Sequence, residues 1–148
     1  MNTIFYNNVI AKLILWKGFS SIMLFGFVFT KKKKGELTEA SIRHEKIHQC
    51  QYIECTLSGL LLFIFPALCF SFWWIVIVPL FYYIIYVMGW LLNAILLKST
   101  EGCTSLKEAS DKAYYMIAME QEAYKNQSND TYLSGRRWFA WIDYLVEP

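Results

Sequence analysis

The sequence predicts a mainly α-helical, integral-membrane protein, built as a transmembrane helical hairpin with an adjoining helix and a short N-terminal β-ribbon. Three observations carry this expectation. No charged residue occurs from Thr56 to Leu97. The only two histidines, His44 and His48, stand four apart just ahead of that run. A Phe-rich stretch centred on Gly26 precedes them.

The chain has 148 residues, so a single domain, 1–148, is expected. Its hydrophobic share is 56%, against about 45–50% in soluble domains. That excludes a disordered tail, a coiled coil and a repeat solenoid. A net charge of +2 implies no nucleic-acid partner. Cys50, Cys55, Cys69 and Cys103 show no C-x-x-C spacing and read as reduced thiols.

About 20 apolar residues cross a bilayer as a helix, so 57–97 is long enough for two passes. Pro79 divides the run, flanked by Trp73, Trp74, Tyr82 and Tyr83, and aromatic rings favour the lipid–water interface. The expected hairpin has spans near Leu57–Val78 and Leu80–Leu97, a tight turn at Pro79, and a kink at Pro66. The alternative is a buried helical pair in a soluble core. Lys31–Lys34, Lys98, Lys107, Lys112, Lys125, Arg136 and Arg137 flank the hairpin and none lies at its tip. Positive residues stay on the cytoplasmic side, so both flanks are expected there. The lysine run reads as a topology anchor or lipid-headgroup contact rather than a nucleic-acid patch.

Within the N-terminal segment 9–34, Val9–Thr30 is apolar but interrupted by Lys12 and Lys17, and its core Ile22–Phe29 is too short to span. Two short strands meeting near Gly26 suit its Phe, Val and Ile content. A third, tilted membrane helix is the alternative. No small-residue cleavage site suggests a secretory signal.

His44-Glu45-Lys46-Ile47-His48 is an H-E-x-x-H pattern. On a helix, positions i and i+4 share one face, so both imidazoles can address one ion. The glutamate lies about 100° round the helix, placed to act as general base toward a water on Zn²⁺. Thr38 suits an N-cap, Glu39 supplies negative charge to the first turn, and nothing breaks a helix over 38–56. Leu37, Ser41, His44, His48, Gln51 and Cys55 form one stripe. Thirteen residues separate His44 from Leu57, about 20 Å, which puts the site near the membrane surface. The alternative is that the two histidines are ordinary surface or core residues.

A catalytic zinc site takes three protein ligands. With no third histidine, a carboxylate or cysteine must complete it. Ser105 and Glu108 form a capping box that opens a helix over 105–126. Its apolar stripe runs Leu106, Ala109, Ala113, Met116 or Ile117, Glu120, and Ala123 or Tyr124. Glu120 falls on the buried stripe, and Glu122 is expected on the opposite side with Glu108, Asp111 and Lys112. A buried carboxylate is costly unless paired or metal-bound, which selects Glu120; pairing with Arg136 or Arg137 is the alternative.

An H-E-x-x-H helix, a membrane segment and a later helix bearing E-x-x-A-D resemble the membrane-embedded gluzincin metallopeptidases. These include the prenyl-protein CAAX endopeptidases, the bacterial heat-shock membrane protease and the peptidase domain of β-lactam sensors. The later helix here reads Glu120-Gln121-Glu122-Ala123-Tyr124. Tyr124 stands where the family has an aspartate that orients a histidine ligand, and Gln51 is a candidate substitute. The layout is also similar to short uncharacterised bacterial membrane proteins. The resemblance covers roughly Phe19–Tyr124, with specificity only in the two short motifs. It implies a zincin-like fold and a β-strand edge that binds substrate backbone, in the place of Ile22–Thr30.

After the polar stretch Asn126–Asp130, residues 131–148 form an aromatic, amphipathic tail, expected in the membrane interface or against the hairpin. Tyr132, Arg136 or Arg137 are candidates for oxyanion stabilisation, or for lipid-headgroup anchoring. The functional expectation is a membrane-bound zinc metallopeptidase-like hydrolase. Zn²⁺ sits on His44, His48 and Glu120, with Glu45 catalytic. Its partners are the lipid bilayer and a peptide or membrane-protein substrate, its place the bacterial inner membrane with the site facing the cytoplasm. The alternative is a non-catalytic metal-binding or scaffold membrane protein.

Overall fold

The computed structural model describes residues 3–15, 19–100 and 105–145. It is mainly helical, with one small sheet at the polar end of a long helical hairpin. The ribbon expected within 9–34 is β2 (Ser21–Leu24) and β3 (Phe27–Thr30), antiparallel, with Ser21 opposite Thr30 and Leu24 opposite Phe27. Phe25 and Gly26 turn the chain with φ of 51° and 81°, the two left-handed positions of a tight hairpin turn. Phe25 tolerates its strained backbone because its N–H donates to the Tyr83 hydroxyl at 2.6 Å. The Gln49 side chain donates to the Gly26 carbonyl at 2.7 Å, so the turn is clamped to both long helices.

Two features of this region lay outside the expectation. A two-residue strand, β1 (Ile4–Phe5), pairs in parallel with the other side of β3. Val9–Ile14 is neither ribbon nor span but a six-residue helix, α1, capped by the Asn8 side chain. Six residues reach only about 9 Å, far short of a bilayer.

α2 runs unbroken over Glu39–Cys69, its first turn closed by Thr38, whose hydroxyl accepts from the Ser41 N–H at 3.1 Å. Pro66 is accommodated in its last turn, where Phe70 closes back onto the Pro66 carbonyl. The hairpin turn lies earlier than expected. A 3-10 turn at Phe72–Val76 makes it, and Pro79 sits in the first turn of α3 (Ile77–Thr100). That is where a residue without an N–H costs least, because first-turn donors have no helical acceptor. α2 and α3 are both long and apolar enough to cross a membrane. Their outer faces are bare: Leu61 and Leu68 are about 80% exposed, and Phe70, Phe72 and Trp73 at the tip nearly as much. The helices close on each other at Gly59, where a Cβ would lie 3.1 Å from the Phe81 Cβ.

The helix expected over 105–126 is two. α4 (Leu106–Tyr115) is capped by Ser105, and α5 (Ala118–Asn126) follows an extended Ile117. α4 packs on the end of α3 through Leu97, Ala109 and Ala113. α5 lies against α2. A single turn, α6 (Tyr132–Gly135), and a 3-10 turn at Ala140–Leu145 follow. This last turn packs on α5 and buries Ala140 and Trp141. The core joins all layers: Met23 and Val28 from the sheet, Cys55, Tyr82, Ile117, Met119 and Trp141. Cys50, Cys55 and Cys69 are free thiols, and Cys103 lies outside the described residues.

Candidate metal centre

His44 and His48 stack on one face of α2, and the break at Ile117 brings α5 across them with Glu120 pointing in. The two imidazole Nε2 atoms are 3.1 Å apart. Glu120 Oε1 is 3.3 Å from His48 Nε2, and Oε2 is 3.5 Å from His44 Nε2. Ligand atoms about 2.0–2.1 Å from one tetrahedral ion are roughly 3.3–3.4 Å apart. The three spacings therefore fit a metal, and one ligand atom from each residue lies within 4.8 Å of the others. Chemistry supports the same reading. Two Nε2 lone pairs at 3.1 Å repel unless a proton or a cation lies between them. Among the described residues, buried Glu120 Oε2 has no hydrogen-bond partner, as suits an oxygen left for a cation.

Each ligand has supports. Tyr86, from α3, donates its hydroxyl to Glu120 Oε1 at 2.6 Å. His48 Nδ1 meets Gln51 Oε1 at 2.8 Å, a contact that orients the His48 ring. Tyr124 packs its ring edge-on against His44, centroids 4.6 Å apart, and His44 Nδ1 has no partner among the described residues. These groups precede the apolar part of α2 or lie on α5, and they perturb one another. Burial works to raise the Glu120 carboxyl, but the His48 charge, the closeness of His44 and the bond from Tyr86 carry it below the usual range. Burial works to lower the His48 imidazole, but Glu120 and Glu45 lift it to about 9. Burial pushes the Glu45 carboxyl up, against the pull of His48 and His44.

Glu45 lines a cavity of about 310 Å³ together with His44, His48 and Glu120. Edge strand β2 forms one wall, with Ser21–Leu24, and Tyr82, Tyr83, Tyr86 and Tyr114 form another.

One expectation is corrected. Glu122 does not face outward with Glu108; it is fully buried. Its partner is Arg136, whose Nε donates to Oε1 at 2.6 Å and Nη2 to Oε2 at 3.1 Å. Arg136 also clasps Glu54 of α2, a buried carboxylate that sequence reasoning missed. The signal was available: Glu54 is the last charge before the apolar run and shares the stripe of Gln51 and Cys55. Tyr132 donates to Glu122 Oε1 at 2.9 Å, and Arg137 pairs with Asp143 at the surface. Among the described residues, the lining of the metal-site cavity does not include Tyr132, Arg136 or Arg137. No family model, characterised protein or solved structure matches the chain.

Proposed function

We propose that the chain is a membrane-embedded, zinc-dependent peptide hydrolase of gluzincin type. One observation carries this reading: His44, His48 and Glu120 converge from two helices beside Glu45, at a cavity walled by an edge strand. When bound, Zn²⁺ supplies Lewis acidity that acidifies water and polarises a carbonyl. Glu45 then serves as proton acceptor and returns the proton to the leaving amine; its raised carboxyl suits both halves of that task. The free edge of β2 takes the substrate backbone as an added strand, which sets an extended peptide across the histidines. The uncharged part of α2 from Thr56 onward, continued by the turn at Phe72–Val76, and α3 cross the bilayer. The flanking lysines and Arg137 favour a cytoplasmic site, and the resemblance favours a bacterial inner membrane.

A non-catalytic metal-binding or scaffold protein is the competing reading, favoured by His44 Nδ1, which lacks the partner that would fix its ring. The two separate on Glu45→Gln. Wild-type chain in lipid nanodiscs should hold about one zinc and cleave members of a peptide library read by mass spectrometry. Glu45→Gln should keep the zinc and lose about 10²–10⁴-fold in rate. Cleavage unaffected by the substitution, or no zinc in the wild type, would end the hydrolase reading.

A further inference from the structure

We propose that Arg136 is a positioning residue for the metal centre: acting through Glu122 and Gln51, it fixes which ring nitrogen of His48 carries the proton, leaving Nε2 to the ion. The inference rests on the metal-site reading above. It begins with the amide of Gln51, which is fully buried. Gln51 Nε2 donates to the Met119 carbonyl and to Glu122 Oε2, each at 3.0 Å. Both are pure acceptors, so turning the amide over would set its oxygen against two other oxygens. The amide is therefore locked with Oε1 toward His48 Nδ1, 2.8 Å away. An amide oxygen can only accept, so Nδ1 carries the hydrogen. In the neutral, metal-binding form of the imidazole that is its one N–H, so Nε2 is the nitrogen that offers its lone pair toward His44 and Glu120.

The lock holds only while Glu122 stays in place as an acceptor. Arg136 fixes it by a two-point contact, with Nε on one carboxylate oxygen and Nη2 on the other. A planar guanidinium fork specifies the carboxylate plane as well as its position, which a lysine cannot do. Tyr132 adds a third bond to the same carboxylate. The segment after α5 thus reaches the metal through four side chains, Arg136, Glu122, Gln51 and His48, without touching it. Glu54 sits on the other side of the guanidinium and makes no bond to Gln51 among the described contacts.

That asymmetry supplies the test. Zn²⁺ affinity of the full chain in detergent is measured by competition with a chromophoric chelator, and the Co²⁺-loaded chain is read by its visible absorption. Glu122→Gln can offer an NH₂ to Gln51 and lets the amide turn; Gln51→Met removes the link at similar volume. Each is expected to weaken Zn²⁺ binding about 10–100-fold and to alter the Co²⁺ bands. Glu54→Gln is expected to bind like the wild type with unchanged bands. Wild-type affinity in both Glu122→Gln and Gln51→Met, or an equal loss in Glu54→Gln, overturns the proposal. If Glu122→Gln loses its helical circular dichroism, Gln51→Met decides alone. A wild type that binds no Zn²⁺, or a His48→Ala chain that binds it equally, refutes the underlying metal reading instead.

Discussion

Arg136→Met should be far more damaging to the fold than Arg137→Met, although the two arginines are adjacent and each contacts a carboxylate. Arg136 and its partners are out of water: its side chain is 5% exposed, that of Glu54 3% and that of Glu122 fully covered. Arg137 and Asp143 are 66% and 54% exposed. Removing one member of a buried ionic group strands the remaining charge, at about 3–5 kcal/mol. Here the truncation strands two carboxylates, so the upper part of that range applies. An exposed pair contributes about 0–1 kcal/mol. At roughly 2–4 °C per kcal/mol for a chain of this size, Arg136→Met should lower the melting temperature by roughly 8–20 °C, and Arg137→Met by under about 4 °C. Thermal unfolding in detergent, followed by tryptophan fluorescence, gives both values. A companion variant identifies the cause. Adding Glu54→Gln and Glu122→Gln to Arg136→Met should recover most of the loss, because the stranded charge is then gone. Equal shifts in the two single variants, or no recovery in the triple, would refute the buried-charge reasoning.

Gly59→Leu inserts side-chain atoms where even a Cβ would stand 3.1 Å from Phe81, so it should cost about 1–3 kcal/mol through separation of α2 and α3. Urea or SDS titration of the variant in detergent measures it. In metal-free protein the Glu120–His48 pair should contribute most to stability between pH 4.5 and 6.5. The lowered Glu120 carboxyl stabilises above its ordinary 4.5 and loses that as pH falls through its folded value. The raised His48 stabilises fully below 6.5, and its share is lost as pH rises through about 9. These are two ends of one ion pair. Melting curves across pH with chelator present check the window, and saturating zinc should remove the alkaline loss by replacing the proton.

Much of the site was legible because α2 obeys simple rules: a threonine cap, an uninterrupted helix, and spacings of four, three and four from His44 to Cys55. Glu120 was legible from the stripe Ala109, Ala113, Ile117, which is indeed buried. Other features left weaker marks. No glycine or proline announces the break at Met116–Ile117, because the turn is imposed by packing of α5 on α2. Glu122 was assigned to solvent because a straight helix with one covered face leaves it outside. α5 instead has two covered faces, α2 on one side and the C-terminal turns on the other, and a single apolar stripe cannot report that. The Arg136–Glu54 contact joins residues 82 apart, beyond any local pattern. Pro79 was read as a turn residue from composition, but proline serves equally well in a helix's first turn.

The hairpin is part of the candidate metal centre and not only a neighbour of it. Tyr86 lies well inside α3, yet its hydroxyl holds Glu120 Oε1 at 2.6 Å, and Tyr82 places its hydroxyl 3.3 Å from His48 Nδ1. α2, α3 and α5 thus each contribute, and the orientation of the third ligand depends on a residue from the apolar hairpin. Tyr86→Phe removes one hydrogen bond from a buried carboxylate while keeping the ring. A bond to a charged group is worth about 1.5–3 kcal/mol, so zinc affinity should fall roughly 10–150-fold with the fold intact. Were the hairpin a passive tether, Tyr86→Phe would bind zinc like the wild type in the same chelator competition. Because both tyrosines arise from α3, a fragment lacking 57–97 should likewise bind zinc weakly, even if α2 and α5 still meet.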